Sequence, residues 1–217
     1  MITKEKTYRD YSVAEEIVNI ITHGIGIALG IAGLVFLILK GLEKQSAVYM
    51  AAFVVYGATL IWTYTTSTVY HSLYKASVKI KNVFHLLDHT AIYLFIAGTY
   101  TPIALFALPS GWSTFILVSI WVLALLGVIF KFFAIGKWQK LSTFLYLLMG
   151  WMIVIAAKPL IGNAPASMLW WILAGGISYS IGTIFFMMNN LKYSHAVWHL
   201  FVLGGSICHY IGIYVYL

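Results

Sequence analysis

Apolar residues fall into seven long runs, which are separated by short polar stretches. Each run holds roughly 20 residues or more, about the length of helix that crosses the hydrocarbon core of a bilayer. Backbone groups in lipid must find their partners within the segment, so we expect helices rather than strands. The predicted spans are 17–39, 47–73, 83–107, 112–134, 139–158, 167–188 and 194–216. The pattern predicts an all-α membrane protein, a seven-transmembrane helix bundle.

The connections between these spans are short and contain turn residues or charges. Examples are "KGLEKQ", "LPSGW" and "KPLIGNAP". No stretch is long and polar enough for a separate extramembrane domain. We therefore expect one transmembrane domain over residues 17–217, preceded by a short cytosolic segment over residues 1–16.

The composition favours lipid as the surrounding solvent. Hydrophobic residues make up 62% of the chain and charged residues only 9%, whereas a soluble domain carries about 25% charged residues. A net charge of +7 would suggest a nucleic-acid partner in a soluble protein. Here it reflects lysines near the ends of apolar spans, and no nucleic-acid partner is expected. The single cysteine, Cys208, excludes an intrachain disulfide.

The lysines and arginines are distributed unequally between the two sides of the bundle. With the N-terminus in the cytosol, 10 lie on the cytosolic side and 3 on the outer side. Cytosolic loops of membrane proteins are enriched in these residues. The count predicts a cytosolic N-terminus and a C-terminus outside. The cytosolic set is Lys4, Lys6, Arg9, Lys75, Lys79, Lys81, Lys131, Lys137, Lys140 and Lys192, and the outer set is Lys40, Lys44 and Lys158.

This orientation places polar residues of four spans at the cytosolic end of the bundle. Polar groups inside a membrane normally face the bundle interior and mark function. We therefore expect these side chains to line one internal cavity. They are Glu16, Asn19 and His23 in the first span, Ser67 and His71 in the second, His85, Asp88 and His89 in the third, and His195 and His199 in the seventh.

The histidine spacing indicates a metal site in this cavity. His195 and His199 lie about 40° apart on one helix face, so both can bind the same ion. His71 is the candidate third ligand, and three histidines with an open position are typical of catalytic zinc. Copper, iron or nickel would also accept these ligands. Asp88 is then placed to hold or deprotonate a water molecule. His209 lies about 21 Å along the helix axis from His195 and cannot share the metal.

Other roles remain open for several of these residues. His85 and His89 are also four residues apart, so they are either rival metal ligands or interfacial side chains. Asn19 and His23 suit hydrogen bonds behind the metal ligands. Glu16 could instead stabilise the N-terminus of the first helix. For His209 we expect a structural hydrogen bond.

Five stretches of the chain resemble the hemolysin III family of bacterial membrane proteins. That family belongs with the progestin and adiponectin receptors, and the wider group includes alkaline ceramidases. The resemblance runs from Glu16 to the C-terminus. Its motifs are "EIVNIITH", "STVYH", "FHLLDHTAIYLFIAGTYTP", "LYLLMGWM" with "KPL", and "HAVWHLFVLGGSICH".

The resemblance implies a seven-helix fold in the bacterial plasma membrane, with a cytosolic N-terminus and one zinc ion near the cytosolic face. It implies His71, His195 and His199 as the zinc ligands. Asp88 would hold the water at the zinc, and Ser67 would support the site. The chain does not have the long N-terminal region of the receptors, so hormone-type signalling is not expected.

The favoured function is a zinc-dependent hydrolase that cleaves an amide or ester bond of a lipid at the cytosolic leaflet, in the manner of a ceramidase. Asp88 would be its general base, and membrane lipid its substrate or ligand. The alternative is a non-enzymatic sensor or receptor, or a cytolytic protein, with structural zinc. An ion or proton pathway is less favoured, because the polar groups are expected at one end of the bundle only.

Overall fold

The structure is a computed structural model, and it describes residues 11–134, 138–188 and 190–217. Four charged residues that contributed to the predicted orientation lie outside the described residues. They are Lys4, Lys6, Arg9 and Lys137.

Seven helices are long and apolar enough to cross a membrane, and the described residues contain no strand. The prediction of an all-α, seven-helix membrane protein is therefore confirmed. The cytosolic position of the N-terminus stays a prediction. The helices are α1 Val13–Glu43, α2 Ala47–Ser72, α3 Val78–Ala107, α4 Ser110–Ala134, α5 Gln139–Asn163, α6 Ala166–Met187 and α7 Ser194–Tyr216.

Helix α1 begins four residues earlier than predicted, because a capping box fixes its start. The Glu15 backbone N–H donates to Ser12 Oγ at 3.3 Å, and the Ser12 backbone N–H donates to Glu15 Oε2 at 3.0 Å. These bonds satisfy amide groups that the helix itself leaves without partners. As a result Glu16 lies in the first turn of α1, level with the start of α7.

Helix α5 changes its winding halfway along its length. Residues Trp151–Ala156 form a 3-10 segment between two α-helical parts. The Tyr100 hydroxyl on α3 donates to the Gly150 carbonyl and accepts from the Ile153 backbone N–H, both at 2.8 Å. Pro159 follows shortly after and has no N–H to continue the α-helical bonding pattern. Tyr100 thus satisfies backbone groups that would otherwise be unpaired in lipid.

Helix α3 is the most buried of the spanning helices and packs between α2 and α4. Helix α7 packs against both α6 and α1. The starts of α1, α3 and α7 and the end of α2 therefore meet at one end of the bundle, here called the site end.

Candidate metal centre

Three histidines from two helices converge at the site end. His71 lies at the end of α2, and His195 and His199 lie on the first turns of α7. One ring nitrogen from each comes within 4.8 Å of the other two. His71 and His199 are 0% and 1% exposed. The predicted convergence of these three residues is thus seen in the fold, and together they could hold a metal ion.

Hydrogen bonds from α1 set the orientation of two of the imidazoles. His71 Nδ1 lies 2.6 Å from Glu16 Oε2, and His199 Nδ1 lies 3.1 Å from Thr22 Oγ1. The Thr22 hydroxyl itself donates to backbone carbonyls of α1, so it accepts from His199. A carboxylate also accepts. Both histidines therefore carry their proton on Nδ1, and their Nε2 lone pairs are available to a cation.

The closest contact between the imidazoles joins two of these nitrogen atoms. His71 Nε2 lies 3.2 Å from His195 Nε2. With the proton of His71 held on Nδ1 by Glu16, its Nε2 presents a lone pair toward His195. A cation between the rings, or a proton on His195, is needed to avoid facing two lone pairs. The contact is therefore suited to a metal ion.

The predicted residues Asn19 and Glu16 lie on the side of His71 away from the other histidines. The Asn19 amide lies 3.4 Å from His71 Nδ1. Glu16 is 5% exposed and lies in the first turn of α1, where a carboxylate also suits the helix N-terminus, while Ser12 and Glu15 form the capping box. Glu15 Oε1 also accepts the Tyr193 backbone N–H at 3.0 Å, which ties the start of α7 to that of α1.

Thr22 was not predicted as a site residue. It follows Asn19 by three residues and precedes His23 by one, so helical periodicity could have placed it on the same face. A threonine hydroxyl is commonly satisfied within its own helix, so its type alone gives no signal of a site role.

Ser67, Asp88 and His23 form a second group beside the three histidines. His23 Nδ1 lies 2.7 Å from Ser67 Oγ, and Ser67 interacts with the Asp88 side chain. The His23 ring stacks on the His199 ring, with centroids 3.5 Å apart and planes at 14°. The candidate catalytic residues are therefore brought next to the candidate metal ligands.

His85 and His89, the rival ligand pair, do not form part of a three-ligand cluster in the described part of the chain. His89 Nδ1 lies 3.0 Å from the His85 carbonyl oxygen, a local bond within α3. Its ring is buried within the bundle. The buried Lys131 of α4 interacts electrostatically with both histidines and with Asp88.

A cleft extends from this site into the bundle. Ser67, Asp88, His195 and His199 line one end of it, and His209 lines the other. His209 follows His195 by fourteen positions in α7, which is about 21 Å along the helix axis. Most of the remaining wall is apolar or aromatic.

Polar groups extend further into the bundle than predicted. Tyr64 OH and Tyr179 OH lie 2.7 and 3.0 Å from Ser206 Oγ, two helical turns beyond His199. His209 Nε2 donates to the Ile172 carbonyl at 3.0 Å, which confirms its predicted structural hydrogen bond. Closer to the opposite end of α7, the fully buried side chain of Ile213 is apolar.

Comparison with known proteins assigns the chain to a family. The family model described as "Haemolysin-III related" matches residues 11–210, which include all of the site residues. The chain belongs to the haemolysin III family.

Two bacterial relatives share most of the sequence. The chain is 46% identical to "Hemolysin-3" of Bacillus cereus over 207 residues, covering 94% of this chain and 93% of the relative. It is 43% identical to "Hemolysin-3 homolog" of Bacillus subtilis (strain 168) over 196 residues, covering 90% and 91%. The chain is thus a multi-pass membrane protein of the haemolysin III type, consistent with the bacterial plasma membrane.

A human relative extends the comparison to a wider group. The "Monocyte to macrophage differentiation factor" of Homo sapiens is 30% identical over 167 residues, covering 75% of this chain and 69% of the relative. This similarity supports the predicted link to the progestin and adiponectin receptor superfamily.

Proposed function

We propose that this haemolysin III family member is an intramembrane zinc-dependent hydrolase that cleaves an amide or ester bond of a membrane lipid. One observation carries the proposal. Three imidazoles that could together hold a metal ion lie beside a buried serine and carboxylate, at the end of a cleft that reaches into the bundle.

The spacing of one pair of nitrogen atoms suits zinc. Tetrahedral zinc with Zn–N bonds of about 2.0–2.1 Å places two nitrogen atoms about 3.3 Å apart. His71 Nε2 and His195 Nε2 lie 3.2 Å apart. Neutral imidazoles are good zinc ligands, and three of them leave a position open for chemistry. His71, His195 and His199 would hold the ion.

Bound zinc would polarise a substrate carbonyl and lower the pKa of a water molecule to about 7. The chain's own residues supply the proton transfers. Asp88 accepts a proton from the attacking water and passes it to the leaving nitrogen or oxygen. Ser67, which interacts with Asp88, helps to fix the carboxylate in place.

The cleft indicates the class of substrate. Its walls between the site and His209 include Ile92, Phe95 and Val202, which suit an acyl chain better than a polar molecule. A chain lying there would place an amide or ester carbonyl beside Asp88. In the predicted orientation, the scissile bond belongs to a lipid of the cytosolic leaflet.

The test of this function is the Asp88→Asn variant, which keeps the shape of the side chain and removes most of its basicity. Purified wild type and variant are assayed in lipid vesicles against a fluorescent ceramide and a fluorescent acyl ester. We expect turnover to fall about 10²–10⁴-fold, as for the loss of a general base. Zinc content and thermal stability should stay near wild type, because the three imidazoles are unchanged.

Glu43→Gln is the matched control, since this carboxylate is exposed at the opposite end of α1. It should leave turnover unchanged. If Asp88→Asn retains zinc and full cellular function, the zinc is structural and the protein is a sensor, receptor or cytolysin rather than a hydrolase.

A further inference from the structure

A row of buried polar side chains leads from α1 to the candidate general base. His23 Nδ1 lies 2.7 Å from Ser67 Oγ, and Ser67 in turn interacts with Asp88. The three residues are 4%, 2% and 9% exposed, respectively. Each bond of such a chain has a direction, and the direction determines what Ser67 can do. If Ser67 donates to His23, the pair resembles a serine nucleophile with its base. If His23 donates to Ser67, the serine proton is free for Asp88.

The other nitrogen of His23 favours donation by His23. His23 Nε2 is buried and has no hydrogen-bond partner in the described part of the chain. If Ser67 donated to Nδ1, the imidazole proton would sit on Nε2 as an unpaired N–H in an apolar interior. Orphaned buried N–H groups are rarer than under-satisfied acceptors. The tautomer with the proton on Nδ1 leaves only a lone pair unpaired.

The surroundings of Asp88 favour the same direction. Its closest ion-pair partner in the described residues is His89, with Nδ1 3.5 Å from Asp88 Oδ2. That distance is too long for a good hydrogen bond, and His89 Nδ1 bonds to the His85 carbonyl at 3.0 Å. Lys131 acts on Asp88 only through its charge. The Ser67 hydroxyl is therefore the donor best placed for this buried carboxylate, which needs one.

We propose that His23 is a positioning residue: its Nδ1–H donates to Ser67 Oγ, which turns the Ser67 proton onto Asp88 and leaves the second carboxylate oxygen to act as the base. This inference rests on the proposed hydrolase function and adds the residue that orients its base. His23 itself neither gains nor loses a proton during the reaction. Stacking on His199 holds the His23 ring in place for this role.

Three substitutions at position 23 distinguish a role of His23 as a hydrogen-bond donor from a role as a base. The side-chain nitrogen of asparagine can occupy the place of imidazole Nδ1 and donate to Ser67, but it cannot act as a base. The amide of glutamine reaches the place of Nε2, and leucine offers no donor. We expect His23→Asn to keep kcat for the fluorescent lipid near wild type, whereas His23→Gln and His23→Leu lower it by about 10–100-fold, as for the loss of a supporting hydrogen bond.

A double-variant comparison tests whether His23 acts through Ser67. If it does, Ser67→Ala should cost about as much as His23→Leu, and the double variant no more than either, because both remove the same interaction. Zinc content and thermal stability are measured for each variant. Independent, additive losses in the two variants, or a His23→Asn variant as slow as His23→Leu, would overturn the donor role.

A fluorophosphonate probe on the wild-type protein tests the direction of the hydrogen bond between His23 and Ser67, and it needs neither a variant nor a substrate. Such probes label serines that are activated by a neighbouring base. We expect no adduct on Ser67 by peptide mass spectrometry. An adduct there would show that Ser67 donates to His23, and it would overturn the inference. A wild type that is not labelled and hydrolyses no lipid defeats the proposed function, whereas an active wild type with labelled Ser67 defeats only this inference.

Discussion

At His71, a single hydrogen bond decides which ring nitrogen faces the other histidines. Glu16 Oε2 lies 2.6 Å from His71 Nδ1, so Nε2 keeps its lone pair. Metal-binding histidines commonly have such a carboxylate partner, and its loss typically lowers metal affinity about 10–100-fold. Thr22 serves His199 in the same way with a hydroxyl group.

Glu16→Ala should therefore lower zinc affinity about 10–100-fold, although Glu16 touches no metal position. The measurement is competition with a chromogenic chelator on the purified protein. Glu43→Ala is the control, because Glu43 is exposed and lies at the other end of α1. Equal zinc affinities in the two variants would show that the Glu16–His71 bond does not orient a ligand.

At the scale of one element, α1 carries much of the site and packs closely against α2. A Cβ atom at Gly26 would lie 2.6 Å from the ring of Tyr64, which is 1% exposed. The Tyr64 ring also contacts His23, with centroids 5.0 Å apart. Gly24 on the same helix has open space, with nothing within 4 Å of its Cβ position.

Gly26→Ala should destabilise the protein by about 1–3 kcal/mol, because the added methyl group forces α1 and α2 apart or displaces Tyr64. Gly24→Ala is the matched control and should be neutral or stabilising by up to about 1 kcal/mol. Thermal unfolding in detergent compares the two. Equal stabilities would mean that the contact between α1 and α2 is looser than described.

At the scale of the whole molecule, the two ends of the bundle are predicted to face different compartments. A cysteine at Ser77, between α2 and α3, should be protected from an impermeant thiol reagent added to intact cells. One at Ser110, at the start of α4, should react. The native Cys208 is first replaced by serine to remove background labelling. The opposite result would turn the site toward the outside and exclude a substrate in the cytosolic leaflet.

The apolar pattern predicted most of this architecture. The expected position of four polar residues at the same depth in the membrane predicted that they converge; these residues are His71, Asp88, His195 and His199. Those predictions succeed because lipid dictates the length of each span and drives polar groups inward. The start of α1 was misplaced because the capping box lies in polar sequence before the apolar run. The cluster of Tyr64, Tyr179 and Ser206 was missed because tyrosine and serine occur within apolar spans without interrupting the hydrophobic pattern. Only the fold brings these three residues together.

The central claim is that His71, His195 and His199 hold one zinc ion, and metal analysis of purified protein tests it most directly. Wild type should contain about one zinc per chain, since three histidines form one tetrahedral site with an open position. His195→Ala should lose most of this zinc, whereas His209→Ala, which removes a histidine at the far end of the cleft, should keep it. Full zinc retention in His195→Ala, or a wild type that binds no zinc, would contradict the account.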